Sequence, residues 1–319
     1  MKYLIGVDIG GTKISVVLGT LGGRILDKKV LSTQVGRKSK QSIQELITTI
    51  QTLLIRHRIR KDLAGIGIGV PGPVDPKKER IERSPNLPSW EKIPIRSILH
   101  SKFKCPVYLE NDANAAALGE KYFGVGRKAK NLVYLTVSTG IGSGIILNGE
   151  LVRGISGAAG EIGHTTVEIN GEKCLCGKKG CLETYSSGTA IAKFMKRALK
   201  SGKKSNILKF ANSIDQINGK HVSEASNSGD RLAIEIRRRA ADYLGTAIGN
   251  LINLINPDCI ILGGGVIEEP KHFWVPMMKA VNREVYPNIP KRYKITRTRL
   301  GKKVGDYGAL AVALDRLKK

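Results

Sequence analysis

Acidic side chains are scarce in this sequence of 319 residues: 27 Asp and Glu stand against 53 Lys and Arg, a formal charge of +26. Such an excess raises nucleic acid as a partner. Aromatic residues are few as well, at 5%. The two most basic stretches, 184–214 and 291–303, hold seven Lys or Arg each but lack the interleaved rings of a base-stacking platform. They read as solvated basic faces, and no nucleic-acid partner is expected. No apolar run approaches the roughly 18 residues of a membrane span, and Asp8 interrupts the first apolar run too early for a signal peptide. A soluble, cytoplasmic protein with no membrane partner is expected. Cysteine is sparse, with five residues, which makes no disulfide framework for a chain of this size. There is no G-x-x-x-x-G-K-S/T, so a P-loop is absent. Gly67 to Gly72 match G-x-G-x-x-G in form, but Pro71 and Pro73 oppose entry into a helix, which argues against a dinucleotide-binding turn.

What is present suits a globular chain of about two domains: 41% apolar and 25% charged residues. Residues 3–9 read as a buried strand ending in a glycine turn, followed by strands at 14–18 and 24–30. Apolar residues at Ile43, Leu46, Ile47, Ile50, Leu53 and Leu54 have helical spacing over 42–56. A strand at 63–70 runs into a proline-rich loop over 71–97, then a strand at 107–110 and an Ala-rich helix over 111–122. A similar passage follows: strand 131–136, glycine turn 138–144, strand 145–147. After a glycine-rich irregular stretch come helices over 188–200 and 230–255, a strand at 259–262 and a helix over 308–317. The two passages repeat one pattern, which predicts an α/β protein of two related domains with a cleft between them. The smaller domain is expected to hold 1–112 plus 303–319, and the larger one 113–302.

Three glycine turns can approach phosphate or nucleoside groups. Asp8-Ile-Gly10-Gly11-Thr12-Lys13 offers backbone N–H groups, a hydroxyl and an ammonium to anionic oxygens, with Asp8 placed to face a magnesium ion directly or through water. Ser138 to Gly144, including Thr139, Gly140 and Gly142, offers the same chemistry in the second passage. Gly263, Gly264 and Gly265 end a strand and let an adenosine lie close to the backbone. In E-N-D-A-N, Asn111 and Asp112 sit where a strand turns into a helix. Asp112 is either the cap of that helix or a carboxylate placed to accept a hydroxyl proton. One imidazole and three thiolates, His164, Cys174, Cys176 and Cys181, make a four-coordinate structural zinc set with no open position for water. Gly177 and Gly180 permit the tight loop, and Glu161 and Glu183 flank it.

These residues resemble the ROK family of sugar kinases and repressors, across essentially the whole chain from Asp8 to about Ala309. The resemblance rests on D-I-G-G-T-K, N-L-P-S-W from Asn86, E-N-D-A-N-A-A-A-L-G-E, G-A-A-G-E-I-G-H and C-x-C-G-x-x-G-C-L-E. It implies an actin/hexokinase-like two-domain fold of ribonuclease H-like halves, ATP with magnesium, and phosphorylation of a hexose at its 6-hydroxyl. Glucose is the first substrate; N-acetylmannosamine, N-acetylglucosamine and fructose are the runners-up. By resemblance Asp112 is the base, and Asn86, Asn111, Asp112, Glu161, His164 and Glu183 contact the sugar. His164 would serve metal and sugar through its two ring nitrogens. A homodimer or a dimer of dimers is expected. ROK repressors carry a helix-turn-helix ahead of the first glycine motif, whereas here seven residues precede Asp8, so an enzyme is expected over a sugar-sensing or nucleic-acid-binding relative.

Overall fold

The computed structural model describes residues 2–33, 39–59, 61–75, 80–81, 87, 90, 92–268 and 270–318. The first passage opens with an antiparallel meander, β1 (Tyr3–Ile9), β2 (Lys13–Thr20) and β3 (Ile25–Ser32). It continues through α1 (Ser39–Arg56), β4 (Leu63–Val70), the short antiparallel pair β5 (Val74–Asp75) and β6 (Arg80–Ile81), α2 (Ile95–Phe103), β7 (Val107–Asn111) and α3 (Asp112–Tyr122). Strands β4 and β7 join β1 in parallel, so the sheet reads β3-β2-β1-β4-β7.

The second passage holds β8 (Leu132–Val137), β9 (Ile141–Leu147), β10 (Glu150–Leu151), α4 (Glu183–Ser186), α5 (Gly188–Lys200), α6 (Gly219–Asn227), α7 (Arg231–Ile255), β11 (Cys259–Gly263), α8 (Val275–Glu284), β12 (Lys294–Arg297) and α9 (Val304–Leu317). Its sheet reads β10-β9-β8-β11-β12. The β10–β9 end is antiparallel and the β11–β12 end parallel. The repeat expected from the sequence is thus a repeat of strand order.

The chain forms two compact units. Unit 1 is Met1–Tyr134, Gly144–Gly160 and Thr298–Lys319; unit 2 is Leu135–Ser143 and Glu161–Arg297. This division differs from the expected boundaries at 112 and 303. Residues 113–134 and 144–160 group with unit 1 because α3 packs on α9. A Cβ on Gly119 would lie 2.9 Å from Gly308 N, and one on Gly308 2.8 Å from Ala115. The bare backbones admit a contact that no side chain would.

In unit 1 the alternation along β1 sends Ile5 and Val7 to one face and Leu4 to the other. Ile5 and Val7 join the core of Leu46, Ile50, Trp90 and Leu99, contributed in part by α1 and α2. Leu4 joins Leu310, Ala313 and Leu314 of α9. Gly67, which fell within the apparent dinucleotide motif, serves this second layer: a Cβ there would stand 2.0 Å from Ala309 O.

Several elements differ from expectation. Gly142 and Gly144 lie in β9, so the second glycine turn is only Ser138–Gly140. The 71–97 stretch contains β5 and β6, and α2 begins at Ile95 directly after Pro94. Helix α8, which is not among the expected elements, has Pro276 at its start, where a missing N–H costs nothing. Strand β12 is basic, Lys294 to Arg297, and sits at the sheet edge where charge discourages further pairing. Among the described residues no helix is long and apolar enough to cross a membrane.

Candidate active site

In unit 1 the turn after β1 closes with Gly10 N–H donating to Lys13 O at 2.9 Å. Thr33 braces it, its N–H donating to Thr12 O at 3.0 Å and its hydroxyl to Gly10 O at 2.7 Å. Thr12 and Lys13 are exposed, and Gly10 and Gly11 partly so. Asp8, at the end of β1, is half-buried against Gly305, where a Cβ would meet its Oδ2 at 2.2 Å. Burial first, and the charge of Asp306 second, push its carboxyl up to about 6. Asp306 itself is buried, accepting from Ser15 Oγ at 2.6 Å and Lys28 Nζ at 2.5 Å. Sequence reading missed it, because the helix expected over 308–317 leaves Asp306 outside, whereas α9 begins at Val304.

The start of α3 separates two roles that E-N-D left open. Asn111 is the N-cap: its Oδ1 accepts from Ala113 N at 2.9 Å and Asn114 N at 3.1 Å. Its Nδ2 donates to Gly72 O at 3.2 Å. Asp112 is the first helical residue and is exposed, with Oδ1 accepting from Ala113 N at 2.8 Å. Behind them Glu110 is buried. It accepts from Asn114 Nδ2 at 3.1 Å, Asn111 N at 3.2 Å and Arg153 Nε at 2.7 Å, tying this strand end to residue 153. Glu110 and Arg153 are further residues that sequence reading did not select.

In unit 2 the turn after β8 closes with Ser138 N–H donating to Gly140 O at 2.9 Å. Glu183, at the start of α4, places Oε2 on this turn and accepts from Ile141 N at 2.8 Å; a Cβ on Gly140 would lie 2.5 Å from that oxygen. The segment Glu161 to His164 lies against the same place, since a Cβ on Gly163 would meet Ile141 O at 2.3 Å. Glu161 and Thr139 are exposed, and His164 is partly buried. Gly264 packs on the end of β8, 2.2 Å from Val137 O to a notional Cβ, with φ +95°. Unit 2 therefore gathers Thr139, Gly140, Glu161, Glu183 and the Gly263–Gly265 turn around one strand end. Gly142 stands in β9, outside the turn, and Asn86 lies outside the described residues.

The ligand atoms of His164, Cys174, Cys176 and Cys181 all lie within 4.8 Å of one another. Cys176 Sγ and Cys181 Sγ are 3.7 Å apart, as are Cys174 Sγ and His164 Nδ1. Tetrahedral bonds of about 2.3 Å to sulfur require a separation of about 3.8 Å, so the donor set fits zinc. Nδ1 is the nitrogen at the cluster. Gly177 and Gly180 turn the loop with φ of 94° and 75°. Burial and the neighbouring thiols push the Cys181 thiol up to about 12.

Comparison with known proteins gives four findings. The model of the ROK family matches residues 4–316. The chain is 36% identical over 314 residues to a glucokinase of Thermotoga maritima, covering 98% of each. It is 31% identical over 313 residues to a xylose repressor of Caldicellulosiruptor bescii, covering 98% of this chain and 78% of that one. A ROK family glucokinase from Streptomyces griseus, solved in complex with glucose and AMPPNP, matches with a TM-score of 0.79 at 34% identity, over 97% of this chain and 98% of that chain. The fold is the expected α/β, actin/hexokinase-like one.

Proposed function

Because this chain belongs to the ROK family, we propose that it transfers the γ-phosphoryl group of ATP to the 6-hydroxyl of a hexose, with glucose as the preferred acceptor. Asp112 takes the hydroxyl proton as the sugar oxygen forms its bond to phosphorus and the bond to ADP breaks. The observation that carries this reading is the start of α3, where Asn111 makes the capping bonds and the exposed Asp112 is not needed for them. Asn86, Asn111, Glu161, His164 and Glu183 hold the sugar hydroxyls. Asn111 has one amide hydrogen left for this. Glu183 has Oε1, which takes no hydrogen bond among the described residues.

Backbone N–H groups of Gly11, Thr12 and Lys13, with those of Thr139 and Gly140, receive phosphate oxygens. Gly10, whose N–H closes the turn onto Lys13 O, lets the backbone come close to them. Gly142 would act only from within β9, and Gly263, Gly264 and Gly265 receive the adenosine. Asp8 would hold magnesium, which neutralises phosphate charge when bound. His164, Cys174, Cys176 and Cys181 would hold zinc, whose filled coordination sphere supplies rigidity. Assembly as a homodimer or a dimer of dimers belongs to the same reading and is tested by light scattering.

The reading is tested by ADP release with glucose, fructose, N-acetylglucosamine and N-acetylmannosamine. The highest kcat/KM is expected with glucose. A higher value with another hexose would move the substrate assignment. No release with any of them would remove the kinase reading. It would favour a sugar-binding regulator, the second reading that the xylose repressor match supports.

A further inference from the structure

Unit 2 holds a cavity that none of the roles above uses. Its volume is about 540 Å³, within the range of small-molecule sites. A second cavity of about 270 Å³ adjoins it and shares Tyr185, Phe194, Arg197 and Arg239. Three aromatic rings line the pair of cavities among polar and charged groups: ring centroids of Tyr185 and Tyr243 are 4.4 Å apart, and those of Tyr185 and Phe194 6.0 Å. The Arg239 guanidinium lies 5.9 Å from the Phe194 centroid and 5.8 Å from that of Tyr243.

The charges here are unevenly committed. Two of the three acids are taken: Glu172 accepts from Arg197 at 2.6 and 3.0 Å and from Lys193 at 2.8 Å, and Glu168 accepts from the Tyr243 hydroxyl at 2.8 Å, while the exposed Glu235 of the second cavity lies 3.9 Å from Lys203. The cations are less so. Arg239 makes one bond among the described residues, to Tyr243 Oη at 3.5 Å. Lys203 faces a carboxylate only at 3.9 Å. A guanidinium beside two rings with donors to spare suits an anion of phosphate geometry, which it meets with two parallel bonds. The ring faces beside it suit the flat face of a second ring.

We propose that the two adjoining cavities, which meet at Phe194 and Arg239, form one second binding site, specific for a phosphorylated ring compound, with Lys203 and Tyr243 supplied by the smaller of the two. Arg239 and Lys203 receive the phosphate, and Phe194 and Tyr243 stack on the ring. A sugar phosphate and a nucleoside monophosphate share this chemistry. The site shares no residue with the groups assigned to hexose and ATP, so it stands or falls apart from the kinase reading.

The test is calorimetric titration of the full chain with glucose 6-phosphate, AMP, inorganic phosphate and glucose, in wild type, Arg239→Gln, Arg239→Lys and Lys203→Gln. Losing a charged hydrogen-bonding partner typically weakens binding about 10- to 100-fold. That loss is expected for a phosphorylated ring probe in Arg239→Gln, with a smaller loss in Arg239→Lys and Lys203→Gln. Glucose binding and melting temperature should stay at wild-type values. An effect on glucose 6-phosphate alone identifies a sugar phosphate, and an effect on AMP alone a nucleotide. Unchanged affinity for both probes in Arg239→Gln and Lys203→Gln overturns the site. Inorganic phosphate binding as tightly as either probe overturns the ring specificity.

Discussion

The turn after β1 carries its own acid, since Asp8 ends the strand that leads into it. The turn after β8 receives Glu183 from a helix 42 residues beyond Ile141. Both turns close through a single backbone bond of 2.9 Å. The first is braced by a neighbouring strand end at Thr33 and by the start of α9 at Gly305. The second depends on the 161–183 segment, which the His/Cys cluster gathers to one point. One backbone device thus has a local acid in unit 1 and an imported one in unit 2. Damage to a distant loop should therefore reach the second turn and spare the first.

The largest effect should come from neither turn. If the acids at the turns bind while Asp112 moves a proton, Asp112→Asn lowers kcat by about 10²–10⁴. KM should change much less, and the melting temperature should hold because Asn111 keeps the cap. Activity of Asp112→Asn within about threefold of wild type, well short of that range, would remove it as the base.

Metal removal should divide the turns next. Elemental analysis should find one zinc per chain. Chelation should speed amide exchange over 165–182 and raise the hexose KM about tenfold, roughly the loss of one charged hydrogen bond. Amides of β1 and β2 should keep their protection. Equal deprotection of both turns would erase the distinction drawn here.

A methyl group sharpens it further. Gly140→Ala places a carbon 2.5 Å from Glu183 Oε2 and should expel that carboxylate, raising KM several-fold for about one hydrogen bond lost. Gly10→Ala meets only Lys13 O at 3.2 Å, a contact the turn relieves by a slight shift, and should leave KM near wild type.

The smallest effect is one of pH. The Asp8 carboxyl lies near 6 rather than 3.8, so the fold favours its protonated form. That contribution is complete below about pH 3.8 and is lost as pH rises through about 6. In metal-free protein Asp8→Asn should therefore raise stability by about 1–2 kcal/mol at pH 7.5, with the gain fading near pH 4. Melting curves of both proteins at the two pH values check it. A gain of equal size at pH 4 would mean that titration is not its cause.

Much of this was legible in the chain itself. Short apolar runs ending in glycine or proline turns marked β1 and β4, helical spacing marked α1, and the C-x-C-x₄-C spacing with His164 marked the metal cluster, because each signal is written within a few residues. Asn111 as the cap was less legible, because Asn and Asp cap equally well and only backbone geometry separates them. Glu110 with Arg153, and Asp306 with Lys28, were illegible. Their partners lie 43 and 278 residues apart, and nothing local in either member marks the other.

By itself the sequence determined the strand and helix periods, the repeated α/β pattern, the glycine turns and the donor set of the metal site. All of these follow from local stereochemistry and residue type. Only the tertiary structure decided that α3 belongs with α9, that Gly67 serves packing and that Glu183 rests on the turn after β8. It alone set the Asp8 carboxyl near 6. These depend on close approach and desolvation between segments remote in sequence, which residue order does not encode position by position.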